Sequence, residues 1–203
     1  AATGAGAAET GAGAGLDGWD TGAGGAYDEG AGYMEVRNGK LLASRSGELN
    51  ERWTAVASLV ALRERWSYDT DTATGARVYN YSTLVYPELT GSYIGVDNRL
   101  FPRHGLSAQV ALRGGAKGAG SDTSFVQGWG NARWFQGIGQ ADRLILRAEG
   151  GATWSQDPIA LSPSLRFFAG GDRSIRGYAW REVGPRTPPP DNFALGGRYV
   201  VTA

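Results

Sequence analysis

The residue types that carry out covalent or hydrolytic chemistry are few in this chain and poorly placed for it. His104 is the sole histidine and sits in the tight turn Pro102-Arg103-His104-Gly105. A Ser-His-Asp relay needs a nucleophile on a strained elbow, and no Gly-x-Ser-x-Gly pattern occurs. Gly13-Ala14-Gly15-Leu16-Asp17-Gly18 has dinucleotide-loop spacing, but it lacks the preceding strand and following helix that such a loop requires. Asp69-Thr70-Asp71 opens like a calcium loop, yet Ala73 and Thr74 stand where a ligand and the obligatory glycine belong. Asn80-Tyr81-Ser82 is a glycosylation sequon by pattern only. With no cysteine, thiol catalysis, Cys-based zinc and a disulfide framework are all excluded. No catalytic, metal or cofactor site is therefore expected, and the chain is read as a non-enzyme.

One segment has the chemistry of a docking element. In Gly170-Gly171-Asp172-Arg173-Ser174-Ile175-Arg176-Gly177-Tyr178, an arginine is flanked by glycines and preceded by an acid. A guanidinium is permanently charged and offers five donors in a planar fork, so it can grip a carboxylate bidentately. Glycines beside it allow backbone angles and close approaches that other residues cannot reach. Such a loop could fold back and pin itself to a polar wall through Arg176. Asp172 reads equally well as a turn-forming residue or as a partner within the loop.

Strands must position that loop. The chain has 203 residues, with 33 glycines, 7 Trp, 9 Tyr and 6 Phe but only 41% hydrophobic residues. Glycine costs about 1 kcal/mol at each helical site, so this composition disfavours helices and suits many strands joined by turns. Leu106, Ala108, Val110 and Leu112 alternate with polar residues, and so do Val126, Gly128, Gly130, Ala132 and Trp134. The row Leu144, Leu146, Ala148, Ala152 and Trp154 does the same against Arg143, Arg147, Glu149 and Thr153. A period of two is a strand signature. Further strands are predicted over 52–66, 77–86, 89–97 and 161–168, with a last one opening at about 197. Thr187 to Pro190 contains three prolines, which cannot donate to a ladder and place 169–195 in one long connection. Residues 1–50 form a separate Gly/Ala-rich segment, either a flexible tract or weak first strands, ahead of the strand-rich 51–203.

Charge and hydropathy narrow the setting. Lys+Arg and Asp+Glu are 20 each, without the basic excess of a nucleic-acid binder. No run approaches the roughly 18–20 apolar residues of a spanning helix, but a spanning strand needs only about 9–11 residues, alternately apolar. Strands of that length with an apolar face ending in Trp134 and Trp154 predict an antiparallel transmembrane β-barrel, with these tryptophans as membrane-interface aromatics and lipid as a partner. A soluble barrel or sandwich has the same period.

The stretch Leu165-Arg166-Phe167-Phe168-Ala169-Gly170-Gly171-Asp172-Arg173-Ser174-Ile175-Arg176-Gly177-Tyr178 resembles the sixth-extracellular-loop signature of the BamA/TamA superfamily of outer-membrane assembly proteins, the bacterial surface antigen family. Its Phe-Phe-Ala-Gly-Gly-Asp run looks most like the TamA branch. Leu100-Phe101-Pro102-Arg103-His104-Gly105, Ser121-Asp122-Thr123-Ser124-Phe125, Gly151-Ala152-Thr153-Trp154 and Gly196-Gly197-Arg198-Tyr199 fit the same order, so the likeness covers roughly 51–203. The resemblance implies a bacterial outer-membrane barrel of about sixteen strands, of which this chain supplies eight to ten. It implies a loop tip inside the lumen, with the signature arginine contacting strands beyond Ala203. It also implies periplasmic POTRA modules, other assembly subunits, and unfolded outer-membrane or autotransporter substrates inserted through a seam between the first and last strands. An open sheet would leave strand edges unpaired in lipid, so the 203 residues are expected to be part of something larger. A two-partner-type polypeptide secretion pore and a passive diffusion porin are the alternatives.

Overall fold

Side chains that alternate between apolar and polar are stable as strands only when each face meets a matching medium, and the chain follows that rule through one continuous sheet. The structure, a computed structural model, describes residues 19–24, 35–70, 77–139, 142–157, 160–170, 177–178, 183–186 and 195–202. Among these, eight strands follow in order: β1 (Trp19–Gly24), β2 (Glu35–Asn50), β3 (Trp53–Thr70), β4 (Arg77–Val96), β5 (His104–Gly115), β6 (Phe125–Ile138), β7 (Asp142–Ser155) and β8 (Tyr199–Thr202). Each pairs antiparallel with its neighbour in sequence, giving the sheet order β1 to β8 without crossovers. No described helix is long and apolar enough to cross a membrane.

The register places like with like. Leu106, Ala108, Val110 and Leu112 of β5 pair with Trp134, Ala132, Gly130 and Gly128 of β6, which pair in turn with Leu146, Ala148, Gly150 and Ala152 of β7. A slip of one residue would move every one of these to the other face. On this shared face Leu112 is 57% exposed, Val126 51% and Leu146 52%. Large aliphatic side chains so displayed suit a hydrocarbon medium and oppose an aqueous one. Between Leu144 and Trp154 the outward row of β7 covers about ten residue steps. At about 3.4 Å per step and the usual 35–45° tilt, that is about 25 Å, the height of the apolar band of an outer-membrane barrel.

The opposite face is mixed rather than simply polar. On β5 to β7 it carries charged and polar pairs: Arg113 Nη1 lies 3.3 Å from Glu88 Oε2, and Trp129 Nε1 donates to Glu149 Oε1 at 2.7 Å. On β3 and β4 it becomes a dry patch of Val60, Leu62, Leu84 and Tyr86, joined by Phe125 of β6. The Tyr86 and Phe125 rings meet edge to face at 5.4 Å.

Two predicted boundaries are corrected. The expected strands 77–86 and 89–97 are one strand, β4, running through Pro87. Thr83 N and Val85 N point away from β3, toward Asp122 Oδ2 and Ser121 Oγ, and Pro87 is in phase with them. Its missing N–H therefore falls just past the last β4–β5 pair, Glu88 with Arg113, where no ladder bond is lost. The expected strand 161–168 is instead a bend containing the 3-10 turn Pro163–Leu165. Its period-two row of Leu161, Pro163 and Leu165 arises from packing against the inner wall, not from membership of the sheet.

The β3–β4 hairpin outruns β5, and the connection after β5 covers the exposed edge. Thr83 N donates to Asp122 Oδ2 at 2.6 Å, Asp122 N returns to Thr83 O at 2.9 Å, and Ser121 Oγ both accepts from Val85 N and donates to Val85 O. Unpaired edge groups are a hazard that these bonds remove.

Candidate functional site

The site is built where the chain leaves β7. Instead of continuing outward, residues 160–170 turn back across the inner face. Leu161 and Leu165, 2% and 1% exposed, complete the apolar cluster of Val60, Leu62, Leu84, Tyr86 and Phe125. Burying two leucines contributes about 1.5–3 kcal/mol each.

Polar side chains of the wall then fix the backbone of this segment. Glu64 of β3, 1% exposed, accepts from the Ser164 backbone N–H at 3.3 Å and from Ser164 Oγ at 2.8 Å. Gln127 of β6 donates through Nε2 to the Leu165 carbonyl at 2.6 Å and also bonds Thr153 Oγ1 of β7. The Arg113 Nε–H donates to Gln127 Oε1, so the amide is held from both sides. A buried amide or carboxylate is costly unless its partners are supplied, and here they come from the loop and from neighbouring strands. Two strands, β3 and β6, thus hold one short turn, and β5 and β7 brace the glutamine that does so.

Past the turn, Arg166 holds the segment together from within. Its Nε donates to Leu161 O at 2.8 Å and its Nη1 to Leu195 O at 3.0 Å, while its guanidinium lies 5.7 Å from the Trp66 ring. Phe167 forms an isolated bridge with Gly197, and Ala169 forms one with Val183. The outgoing and returning limbs of the connection are therefore zipped together just above the wall. Gly151 of β7 leaves room for the Phe167 ring: a Cβ there would lie 2.8 Å from Phe167 Cε1.

Of the predicted signature residues, Gly170 is half-buried with φ +113, Gly177 is exposed with φ +101, and Tyr178 is 54% exposed. Both glycine φ values are ones that other residues rarely adopt. Gly171, Asp172, Ile175 and Arg176 lie outside the described residues. Trp134 and Trp154 both lie on the outward face, 42% and 60% exposed, near opposite ends of the strands. His104 opens β5 and gives its backbone N–H to Asp97 Oδ1 at 3.1 Å.

The sequence reading missed Glu64, Gln127, Thr153, Ser164 and Arg166. A signal for the first was present: in the inward row Val60, Leu62, Glu64, Trp66, one acid interrupts an apolar run. Such an acid must be buried with a partner or distort the strand. Its partner, Ser164, is too remote in sequence to be inferred from spacing. Among the described residues no cluster of His, Cys, Asp or Glu could hold a metal ion.

Comparison with known proteins agrees with this architecture. Residues 33–203 match the profile of the Omp85 superfamily domain. The fold is similar to the crystal structure of BamA from Haemophilus ducreyi lacking POTRA domains 1–3, with a TM-score of 0.68 at 15% identity. That likeness covers 90% of this chain and 39% of the other, so the chain spans about two fifths of the solved protein's length.

Proposed function

The chain belongs to the Omp85 superfamily, and from that premise we propose that it works in the bacterial outer membrane as a non-enzymatic barrel that inserts or translocates other outer-membrane polypeptides. The observation that carries the reading is the return of Leu161–Gly170 onto the inner wall, clamped by Glu64 and Gln127. A segment bonded across the inner face narrows any open passage, and in a barrel that handles polypeptides the seat also fixes where the rest of the loop projects. The signature residues Gly170, Gly171, Asp172, Ile175, Arg176, Gly177 and Tyr178 form the loop tip in this reading, with Arg176 gripping the wall.

Orientation follows from the connections. The strands are joined by residues 51–52, 97–103 and 139–141 at one end, and by 25–34, 71–76, 116–124 and 156–198 at the other. Short turns face the periplasm in outer-membrane barrels and longer loops face outward. Trp134 and Trp154 then act as anchors at the two interfaces. The finer reading is the TamA branch, with autotransporter-like substrates templated on a strand edge opened at a lateral seam, which is β-augmentation within the bilayer. The run Phe167-Phe168-Ala169-Gly170-Gly171-Asp172 supports it.

The test is reconstitution of the full-length protein in liposomes with an unfolded autotransporter barrel as substrate. The folded fraction should fall strongly when Glu64 and Gln127 are both replaced by Ala, and fall to background when a disulfide joins the first and last strands of the complete barrel. Undiminished folding with the seam locked would rule the proposal out.

A further inference from the structure

Between the docked turn and the short-turn end, the inner wall carries a row of residues that includes two arginines side by side. The register sets Ile94 of β4, Ser107 of β5, Arg133 of β6 and Arg147 of β7 next to one another. Arg133 shares the face of Gln127, which bonds the docked Leu165 carbonyl, because an even number of residues separates them on a strand with unbroken register. The six residue steps between them, at about 3.4 Å each and the usual tilt, put the row about 15 Å from the docked turn. The turn therefore leaves this part of the wall open.

Arg133 and Arg147 are both exposed, and among the described residues neither has an ion pair or a hydrogen bond. Like charges directly opposite on a ladder, with Cβ atoms about 4.5–5.5 Å apart, repel. The glutamates of β3 to β7 are engaged elsewhere: Glu64 by Ser164, Glu88 by Arg113, and Glu149, one row nearer the docked turn, by Trp129. Arg143, on the other side of the row, donates to Pro102 O at 2.8 Å and lies over the Phe101 ring. Apolar side chains border the pair, Ile94 being 41% exposed in the same row and Ile145 half-buried in the next. A carboxylate arriving here can be gripped by two guanidinium forks, which turns their repulsion into attraction. Ile145 is two residues from Arg147, about 7 Å, which is the spacing of same-side side chains in an extended peptide.

We propose that Arg133 and Arg147, bordered by Ile94 and Ile145, form a docking patch on the lumen wall for an acidic, aliphatic-flanked stretch of the polypeptide that the barrel handles. The proposal rests on the function proposed above and deepens it by naming the chemistry of the bound segment. Charge complementarity selects the occupant, since the arginine pair repels basic stretches and gains little from neutral ones. A chain entering from the short-turn end meets this patch before it reaches the docked turn.

The test is fluorescence anisotropy of short labelled peptides added to the full-length protein in detergent. One peptide alternates Glu with Val, and its counterparts carry Gln or Lys in place of Glu. Wild type should bind the Glu peptide best, and Arg133→Gln with Arg147→Gln should weaken that binding on the order of tenfold, as expected for losing two exposed charge-assisted contacts. The chain has no cysteine, so Ser107→Cys, beside Arg133, reports location: a haloacetyl group on the Glu peptide should label it, and the label should be lost with the arginines. Heat-modifiable gel migration identifies the folded barrel in each variant. Equal binding by wild type and the folded Gln variant would overturn the patch, as would wild type holding the Gln peptide as tightly as the Glu peptide, a comparison that decides even if the variant does not fold. No binding of the Glu peptide to wild type would mean that another part of the full-length chain already occupies the arginines, and would overturn it too. Peptide binding requires no insertion step, so substrate folding in liposomes that persists without any acidic preference would defeat the patch alone, whereas acidic preference without substrate folding would defeat only the proposed transport.

Discussion

Ser164 and Glu64 are 100 residues apart in sequence, yet the serine's backbone N–H and hydroxyl both donate to the two oxygens of that one buried carboxylate. The bond pair joins the connection after β7 to the third strand of the sheet, across the inner face. Hydrogen bonds to charged groups contribute about 1.5–3 kcal/mol each. Glu64→Ala should therefore lower stability by about 2–4 kcal/mol and make residues 160–170 accessible to protease from the lumen. Ser164→Ala, which removes only the hydroxyl bond from an exposed residue, should cost about 1 kcal/mol. Denaturant titration of the barrel in micelles, with limited proteolysis alongside, measures both. Equal and negligible effects would show that the carboxylate does not hold the loop.

Gln127 is the second clamp, and it is coupled to the first. Its amide joins β7 through Thr153 and the loop through the Leu165 carbonyl. Gln127→Leu leaves that carbonyl without its donor and should cost about 1–3 kcal/mol. Because both clamps hold the same short turn, the double variant with Glu64→Ala should cost less than the two single costs added. A double-mutant cycle on stability reads this directly, and strict additivity would mean that the clamps act on separate structures.

Gly151 and Phe167 make a size-matched pair. The missing side chain of Gly151 is where the Phe167 ring rests, with Gly128 O 3.2 Å from an added Cβ. Gly151→Val should displace the ring, break the Phe167–Gly197 bridge and cost about 1–3 kcal/mol by overpacking. Phe167→Ala in the same chain should relieve the clash and restore part of the loss. A Gly151→Val variant as stable as the parent would place the ring elsewhere.

The turn between β4 and β5 has a pH limit. The Asp97 carboxyl titrates below its ordinary value of 3.8, because the backbone N–H groups of His104, Arg103 and Asn98 all point at it. A depressed folded pKa means that this contribution is present above pH 3.8 and is lost as pH falls through the folded value. Amide exchange at Arg103 and His104 should therefore quicken only below about pH 4. In Asp97→Asn the exchange, after correction for intrinsic rates, should no longer depend on pH in that range. An Asp97→Asn variant whose Arg103 and His104 amides exchange as slowly as wild type above pH 4 would show that the carboxylate is not what holds the turn.

Much of the wall was legible because its signal is local. The rows ending at Leu112, Trp134 and Trp154 alternate strictly, and β5, β6 and β7 carry them on one outward face. The motif of glycines and arginine over 170–178 was read from the sequence alone, and Gly171, Asp172, Ile175 and Arg176 lie outside the described residues. What could not be read depends on contacts distant in sequence. The row of Leu161, Pro163 and Leu165 imitates a strand, and only its packing on the apolar patch of Val60 and Leu84 distinguishes a docked turn from a ladder. The unbroken β4 also needed the neighbouring chain: Pro87 is tolerated only because β5 pairing ends beside it. Glu64 was visible as an anomaly in its row, but not its use.

If the chain sits in a bilayer as proposed, the apolar rows face lipid while the opposite rows face a lumen holding residues 160–170. Spin labels placed one at a time from 125 to 136 of the membrane-reconstituted full-length protein, with accessibility to oxygen and to a water-soluble nickel chelate, test it most directly. Accessibility should alternate with a period of two, with oxygen favoured at 126, 128, 130, 132 and 134 and both reagents excluded at 127 beneath the docked loop. A reversed phase, or free nickel access at 127, would contradict it.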